Sequence, residues 1–186
     1  METGATAAFV NAGQGKTMVR IADALDWINR IIGNVVMWFA LAMVLLQFAL
    51  VILRYVFGIS SIFASEGVLY LHAGLFMLGA GYTLLLQGHV RVDIFYARRS
   101  PRGQAIIDIF GHLALLGPAL IILLYWSWPM VRRSWAILEG PISVGGIPAS
   151  FLLKSLVPAF CVLLLIQGFS ALIRDLIRLR EGPDAA

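Results

Sequence analysis

Along the chain, polar and apolar positions separate into four long blocks instead of alternating within short elements. Ile31–Leu53 carries no charge, nor do Gly67–Gly88 and Ile109–Val131; Ser155–Ile173 is a fourth uncharged stretch, with more apolar sequence ahead of it from Gly140. An apolar helix needs about 20 residues, at about 1.5 Å each, to cross a hydrocarbon core about 30 Å thick. Each block is long enough, and a helix satisfies all of its own backbone donors and acceptors inside lipid. The pattern predicts an all-α integral membrane protein with four transmembrane helices, the spans lying at about 31–57, 66–88, 105–131 and 148–174.

The flanks read differently. Met18–Arg30 has Ile21, Leu25, Ile28 and Ile32 on one helical face, as a short amphipathic helix lying in the membrane interface would. It opens a single membrane domain expected over residues 18–178. Residues 1–17 are expected to be a disordered N-terminus and 179–186 a flexible C-terminus. The first 17 residues lack the apolar core of a cleavable signal peptide, the first span can act as its own targeting signal, and Met18 is a candidate natural start. Gly15-Lys16-Thr17 resembles the end of a phosphate-binding loop, but Val10 stands where that motif needs glycine.

Composition agrees with the pattern: 60% of residues are hydrophobic and 13% charged, against about 25% charged in soluble domains. The basic residues set an orientation, because cytoplasmic loops collect Lys and Arg. With four spans, ten of them share the side of the termini and middle loop: Lys16, Arg20, Arg30, Arg91, Arg98, Arg99, Arg102, Arg174, Arg178 and Arg180. Four lie opposite, at Arg54, Arg132, Arg133 and Lys154. Both termini are therefore expected in the cytoplasm, with Trp126, Trp128 and Trp135 at the outer headgroup belt and Trp27 at the inner one. The single cysteine, Cys161, excludes an intramolecular disulfide.

Gly67, Gly74, Gly81 and Gly88 recur every seven residues. A seven-residue step turns a helix face by only about 20°, so Gly67, Gly74 and Gly81 form a narrow stripe where another helix can approach closely. Arg98, Arg99 and Arg102 cluster in the middle loop, where anionic lipid headgroups can bind them. Ser100-Pro101 then supplies an N-cap and first-turn proline for the third helix.

Charges at a membrane edge need partners. Arg54 and Glu66 flank the turn between the first two spans, which makes a salt bridge between them one expectation and separate snorkelling to headgroups the other. Gln47 and Gln167 lie inside spans at different depths, and each is expected to hydrogen-bond a neighbouring helix. The pairs His89/Asp93 and Asp108/His112 could in principle hold zinc, but no dedicated metal motif accompanies them. A haem-bearing anchor subunit of an oxidoreductase would place two histidines at one depth. His72 lies about 9 Å in from one end of its span and His112 about 6 Å from the opposite side, so they miss each other. A stand-alone proton-coupled four-helix exporter needs an embedded carboxylate, whereas Glu66 lies at the boundary. With no Ser-His-Asp set, paired carboxylates or nucleotide loop in the sequence, no enzyme activity is expected.

Arg54-Tyr55-Val56-Phe57-Gly58, then Glu66 at the head of the second span, then Gly88-His89-Val90-Arg91-Val92-Asp93 closely resemble the small membrane subunit (DctQ-like) of tripartite ATP-independent periplasmic (TRAP) transporters. The resemblance runs from about residue 20 to 178, and the hexad is its most specific part. Gly146-Ile147-Pro148, Leu152-Leu153-Lys154-Ser155 and Gln167-Gly168 look most like a branch often associated with mannitol or chloroaromatic compounds. The family's usual Trp before the acidic residue is missing, since Phe63, Ala64 and Ser65 precede Glu66. The resemblance implies a multi-pass subunit of the bacterial inner membrane that braces the scaffold of a large (DctM-like) subunit. It also implies a periplasmic substrate-binding protein, substrate and sodium sites in the large subunit, and no cofactor, metal or nucleic acid bound by this chain.

Overall fold

The fold comes from a computed structural model that describes residues 2–89, 96 and 99–181, with side chains over 16–89, 96 and 99–179. It has four long helices: α1 (Glu2–Val56), α2 (Ile62–Leu85), α3 (Pro101–Ala136) and α4 (Ser150–Glu181). α1, α3 and α4 each contain one apolar block whole and α2 contains the second as far as Leu85, and all four are long and apolar enough to cross a membrane. No strand occurs among the described residues.

α4 is the hub. It packs against α1, α2 and α3, and α1 packs along α2. Of its most apolar stretch 39% is buried, against 6–11% in the other three helices, so most of the apolar surface of α1, α2 and α3 faces outward, as lipid-exposed helices require. Leu120 of α3 and Cys161 and Leu164 of α4 form the small buried core.

α1 differs from the sequence expectation. The amphipathic segment is not a separate interfacial helix but runs without a break into the first span, and the helical backbone starts at Glu2, within the stretch expected to be disordered. The face that docks is not the apolar one either. Ala22, Asp26, Asn29, Gly33 and Val36 are buried, with spacings of four and three, while on the apolar face Ile21 is exposed and Leu25, Ile28 and Ile32 are half-buried. In lipid an apolar stripe needs no protein cover, whereas polar groups do, so the small and polar stripe turns inward.

Local chemistry sets the helix ends. The Ser61 hydroxyl caps α2 by accepting from the Ala64 N–H, and Ser100 caps α3 by accepting from Gly103, with Pro101 in the first turn. α2 closes with Gln87 at φ 53° and the Gly88 N–H donating to the Thr83 carbonyl over 2.9 Å. Within α3, Gly111–Leu116 forms a π turn. Pro118, two residues beyond it, has no N–H to donate and crowds the preceding turn, and the widened turn relieves that crowding.

The glycine stripe faces inside the molecule. A Cβ on Gly67 would meet only the flexible end of Leu46 at 3.3 Å, and one on Gly74 would meet the Phe39 ring at 2.9 Å. On Gly81 a Cβ would overlap the Asn29 amide and lie 3.3 Å from the Leu163 carbonyl. Substitution by Ala should therefore have graded effects: near neutral at Gly67, intermediate at Gly74, and about 1–3 kcal/mol destabilising at Gly81, the usual range for overpacking. Thermal unfolding of the three variants in mild detergent reads the order, and equal effects at all three positions would rule out close approach as the reason for the glycines.

Candidate functional site

Two polar assemblies occupy opposite ends of the helices. At the end with the termini, Asp26 and Asn29, one turn apart on α1, meet Gln167, Ser170 and Arg174 of α4. Asp26 Oδ1 accepts from Gln167 Nε2 at 2.9 Å and from the Ser170 hydroxyl at 2.6 Å, and Asp26 Oδ2 accepts from Arg174 Nη2 at 2.5 Å. Asn29 Nδ2 donates to Gln167 Oε1 at 3.0 Å, and Arg174 also reaches Asp23 at 2.8 Å. Asn29 and Ser170 are fully buried. Gln167 thus bonds across helices as expected, with Asp26 and Asn29 as partners that the sequence reading missed.

Gln47 does not share that role. It is exposed and lines a cavity beside Arg54.

At the opposite end, the loop between α3 and α4 folds back onto α2. Ser143–Gly146 is a turn closed by the Gly146 N–H on the Ser143 carbonyl at 2.9 Å, with Gly145 at φ 84° in the position that favours glycine. Glu66 is 6% exposed, and its carboxylate grips this turn. Oε1 accepts from the Ser143 N–H at 2.9 Å and Oε2 from the Ile147 N–H at 2.7 Å. Gly146 lies so close to the carboxylate that a Cβ there would overlap it. Glu66 therefore has its partners in the loop, and Arg54 forms no ion pair with it or with any other described residue. The salt bridge, one of the two expectations for this pair, does not form; two backbone N–H groups took the carboxylate because a closed turn presents them at fixed spacing.

The same loop is stapled at its base. Lys154 Nζ donates to both Glu139 oxygens at 2.6 and 2.5 Å, the Ser134 hydroxyl also bonds Glu139, and Trp135 Nε1 donates to Ser155 Oγ at 2.7 Å. The Lys154 hydrogen bond first, and then that from Ser134, hold the Glu139 carboxyl below the usual carboxylate range. This contribution is complete above the ordinary carboxylate pKa and is lost as pH falls through the lowered one.

The remaining sites predicted from sequence are scattered. Gly88 and His89 are exposed at the end of α2, and Arg91, Asp93 and Arg98 lie outside the described residues. Arg99 and Arg102 are exposed at the start of α3. Asp108 accepts from the Tyr96 hydroxyl at 2.7 Å, and His112 Nδ1 lies 2.7 Å from the Asp108 carbonyl and 3.9 Å from Asp175. His72 is exposed on the outer face of α2, with no hydrogen bond or ion pair to any described residue.

What these assemblies hold together is a four-helix scaffold, and sequence comparison gives it a family. The sequence model described as tripartite ATP-independent periplasmic transporters, DctQ component, matches residues 43–178. The chain belongs to the DctQ family. A curated relative, the C4-dicarboxylate TRAP transporter small permease protein DctQ of Vibrio cholerae serotype O1, is 28% identical over 98 residues, which is 50% of this chain and 42% of the relative. The chain therefore matches less than half the length of that relative. DctQ membership and four membrane-crossing helices make this a multi-pass protein of the bacterial inner membrane and a transporter component. The match includes the Glu66 clamp and the α4 half of the polar network; Asp26 and Asn29 precede it.

Proposed function

We propose that this DctQ-family chain is the small permease subunit that braces the scaffold of a DctM-like large membrane subunit. The transporter would take up an organic acid or related small solute, coupled to sodium and supplied by a periplasmic substrate-binding protein. On this reading the substrate and sodium sites are in the large subunit, and both termini of this chain are cytoplasmic. The exposed Arg99 and Arg102, with Arg98 in the same stretch of sequence, meet phospholipid headgroups on that side.

His72 carries this reading. It is ten residues, or about 15 Å, into α2 from Ile62 and six residues, or about 9 Å, in from Glu66 at the boundary, well inside the span. A polar ring facing hydrocarbon at that depth has unsatisfied nitrogens, and a partner helix can supply the missing hydrogen bond. Leu69 and Phe76, one turn to either side, are also exposed and complete an outward stripe on the face turned away from α1 and α4. The carboxylates of the two assemblies, Asp26, Glu66 and Glu139, are meanwhile engaged in bonds within the chain, which supports a bracing role over a conducting one.

Purification of the tagged chain from its native membrane in mild detergent should recover a stoichiometric partner that mass spectrometry identifies as a DctM-like subunit. His72→Ala should recover about threefold to tenfold less of it, the loss of one interhelical hydrogen bond, with no change in the melting of the chain itself. A homodimer alone across several detergents would overturn the reading. Equal recovery of partner by both proteins would remove His72 from the interface.

A further inference from the structure

Where α1 leaves the apolar region, the α1–α2 hairpin encloses a cavity of about 200 Å³. Gln47, Leu50, Val51, Arg54 and Tyr55 line it from α1, and Ile59, Ser60, Ser61 and Ser65 from the turn and the start of α2, so that polar and apolar groups share its wall. No carboxylate lines it. Guanidinium stays protonated at any ordinary pH and needs an anion when water is scarce. Arg54 finds none among the described residues, because Glu66, the carboxylate nearest in sequence, is held by the Ser143 and Ile147 N–H groups.

The hydroxyls favour the same kind of ligand. The Ser61 oxygen accepts from the Ala64 N–H, which leaves its own hydrogen to donate into the cavity, and the Ser60 hydroxyl makes no bond within the described chain. The Ser65 hydroxyl hydrogen is used on the Ser61 carbonyl. A planar guanidinium fork beside two hydroxyl donors suits a tetrahedral oxyanion. Leu50 and Val51, which lie on α1 between Gln47 and Arg54, suit the chain attached to one.

We propose that this cavity binds the phosphate of a phospholipid headgroup, with Arg54 as the charge partner, Ser60 and Ser61 as donors, and the first carbons of an acyl chain against Leu50 and Val51. The proposal requires only that the chain spans a membrane, so it stands or falls separately from the bracing role.

The test is native mass spectrometry of the purified full chain in mild detergent, titrated with dioleoyl phosphatidylglycerol. The wild type should hold one lipid more tightly than the rest. Arg54→Gln should weaken that binding about tenfold, as expected for loss of a charge-assisted hydrogen bond. Arg54→Lys should keep part of it and Ser60→Ala should lose less. Millimolar inorganic phosphate should not displace the lipid, and dioleoylglycerol, which lacks the phosphate, should bind weakly. Equal lipid retention by the wild type and Arg54→Gln would overturn the proposal, as would equal binding of dioleoylglycerol. Displacement by inorganic phosphate would overturn the lipid source and leave a site for free phosphate. If Arg54→Gln fails to fold, Arg54→Lys and Ser60→Ala decide the matter, because both keep the local charge and shape.

Discussion

Replacing Asp26 with Ala should destabilise the chain by about 3 kcal/mol, near the low end of what removing one partner of a buried ion pair costs. Asp26 is 7% exposed and receives bonds from Gln167, Ser170 and Arg174. Without its carboxylate, the Gln167 amide loses a buried acceptor, and such an orphaned group costs about 1–3 kcal/mol, while the Ser170 hydroxyl gives up its shorter bond and keeps the Ala22 carbonyl at 3.1 Å. The Arg174 share is smaller, since its side chain is 41% exposed and keeps Asp23 as a partner; water and solvent screening recover part of that loss. Asp26→Asn retains one acceptor and should fall between Ala and the wild type. Asp23→Ala is the control. It removes only the exposed arm of Arg174, and a pair of that kind contributes at most about 1 kcal/mol. In thermal unfolding in mild detergent, Asp26→Ala should lower the midpoint by about 10 °C, several times the shift of Asp23→Ala. Equal shifts in the two variants would mean that the network between α1 and α4 is not what holds them.

The four spans were legible because apolar length is a local property that lipid enforces. The packing glycines were legible for a similar reason: Gly67, Gly74 and Gly81 repeat at a period that keeps one face, and that face meets Leu46, Phe39 and Asn29. The polar network was not. Asp26 and Ser170 are 144 residues apart, and their pairing depends on which face of α1 turns toward α4. Ile21, Leu25, Ile28 and Ile32 mark a face suited to lipid and do not say which face meets protein. A signal for that was the spacing of Ala22, Asp26, Asn29 and Gly33, a small and polar stripe at helical period.

Gly33 was overlooked for a different reason. It lies outside the seven-residue glycine repeat, and only the fold shows that the Tyr82 ring covers it so closely that a Cβ would overlap. Glu66 illustrates a harder limit. A charge can be matched to opposite charges in a sequence, and Arg54 was the nearest. Its actual partners are backbone N–H groups 77 and 81 residues away, which every residue but proline possesses. The sequence hint was Gly145-Gly146, the place where a chain can turn sharply and come close to another group.

Glu66→Gln should release the loop between α3 and α4 while leaving the four helices folded. A carboxylate presents two acceptors to the Ser143 and Ile147 N–H groups, whereas an amide presents one acceptor and one donor. One loop N–H would then face an N–H, so the isosteric change removes a bond and adds a repulsion. Hydrogen bonds to a charged acceptor contribute about 1.5–3 kcal/mol each, so amide exchange at Ser143 and Ile147 should accelerate about 100-fold. The Lys154–Glu139 pair and the Trp135–Ser155 bond anchor the base of the loop independently, which confines the acceleration to the turn. Gly146→Ala approaches the same contact from the other partner, since the added methyl would occupy the carboxylate's place. It should reproduce the Glu66→Gln exchange pattern without changing any charge. Hydrogen exchange read by mass spectrometry across residues 140–149 checks both variants. Protection unchanged in Glu66→Gln would show that the turn is held by its own glycines and not by α2. Acceleration spread over all four helices would show that Glu66 stabilises the whole bundle.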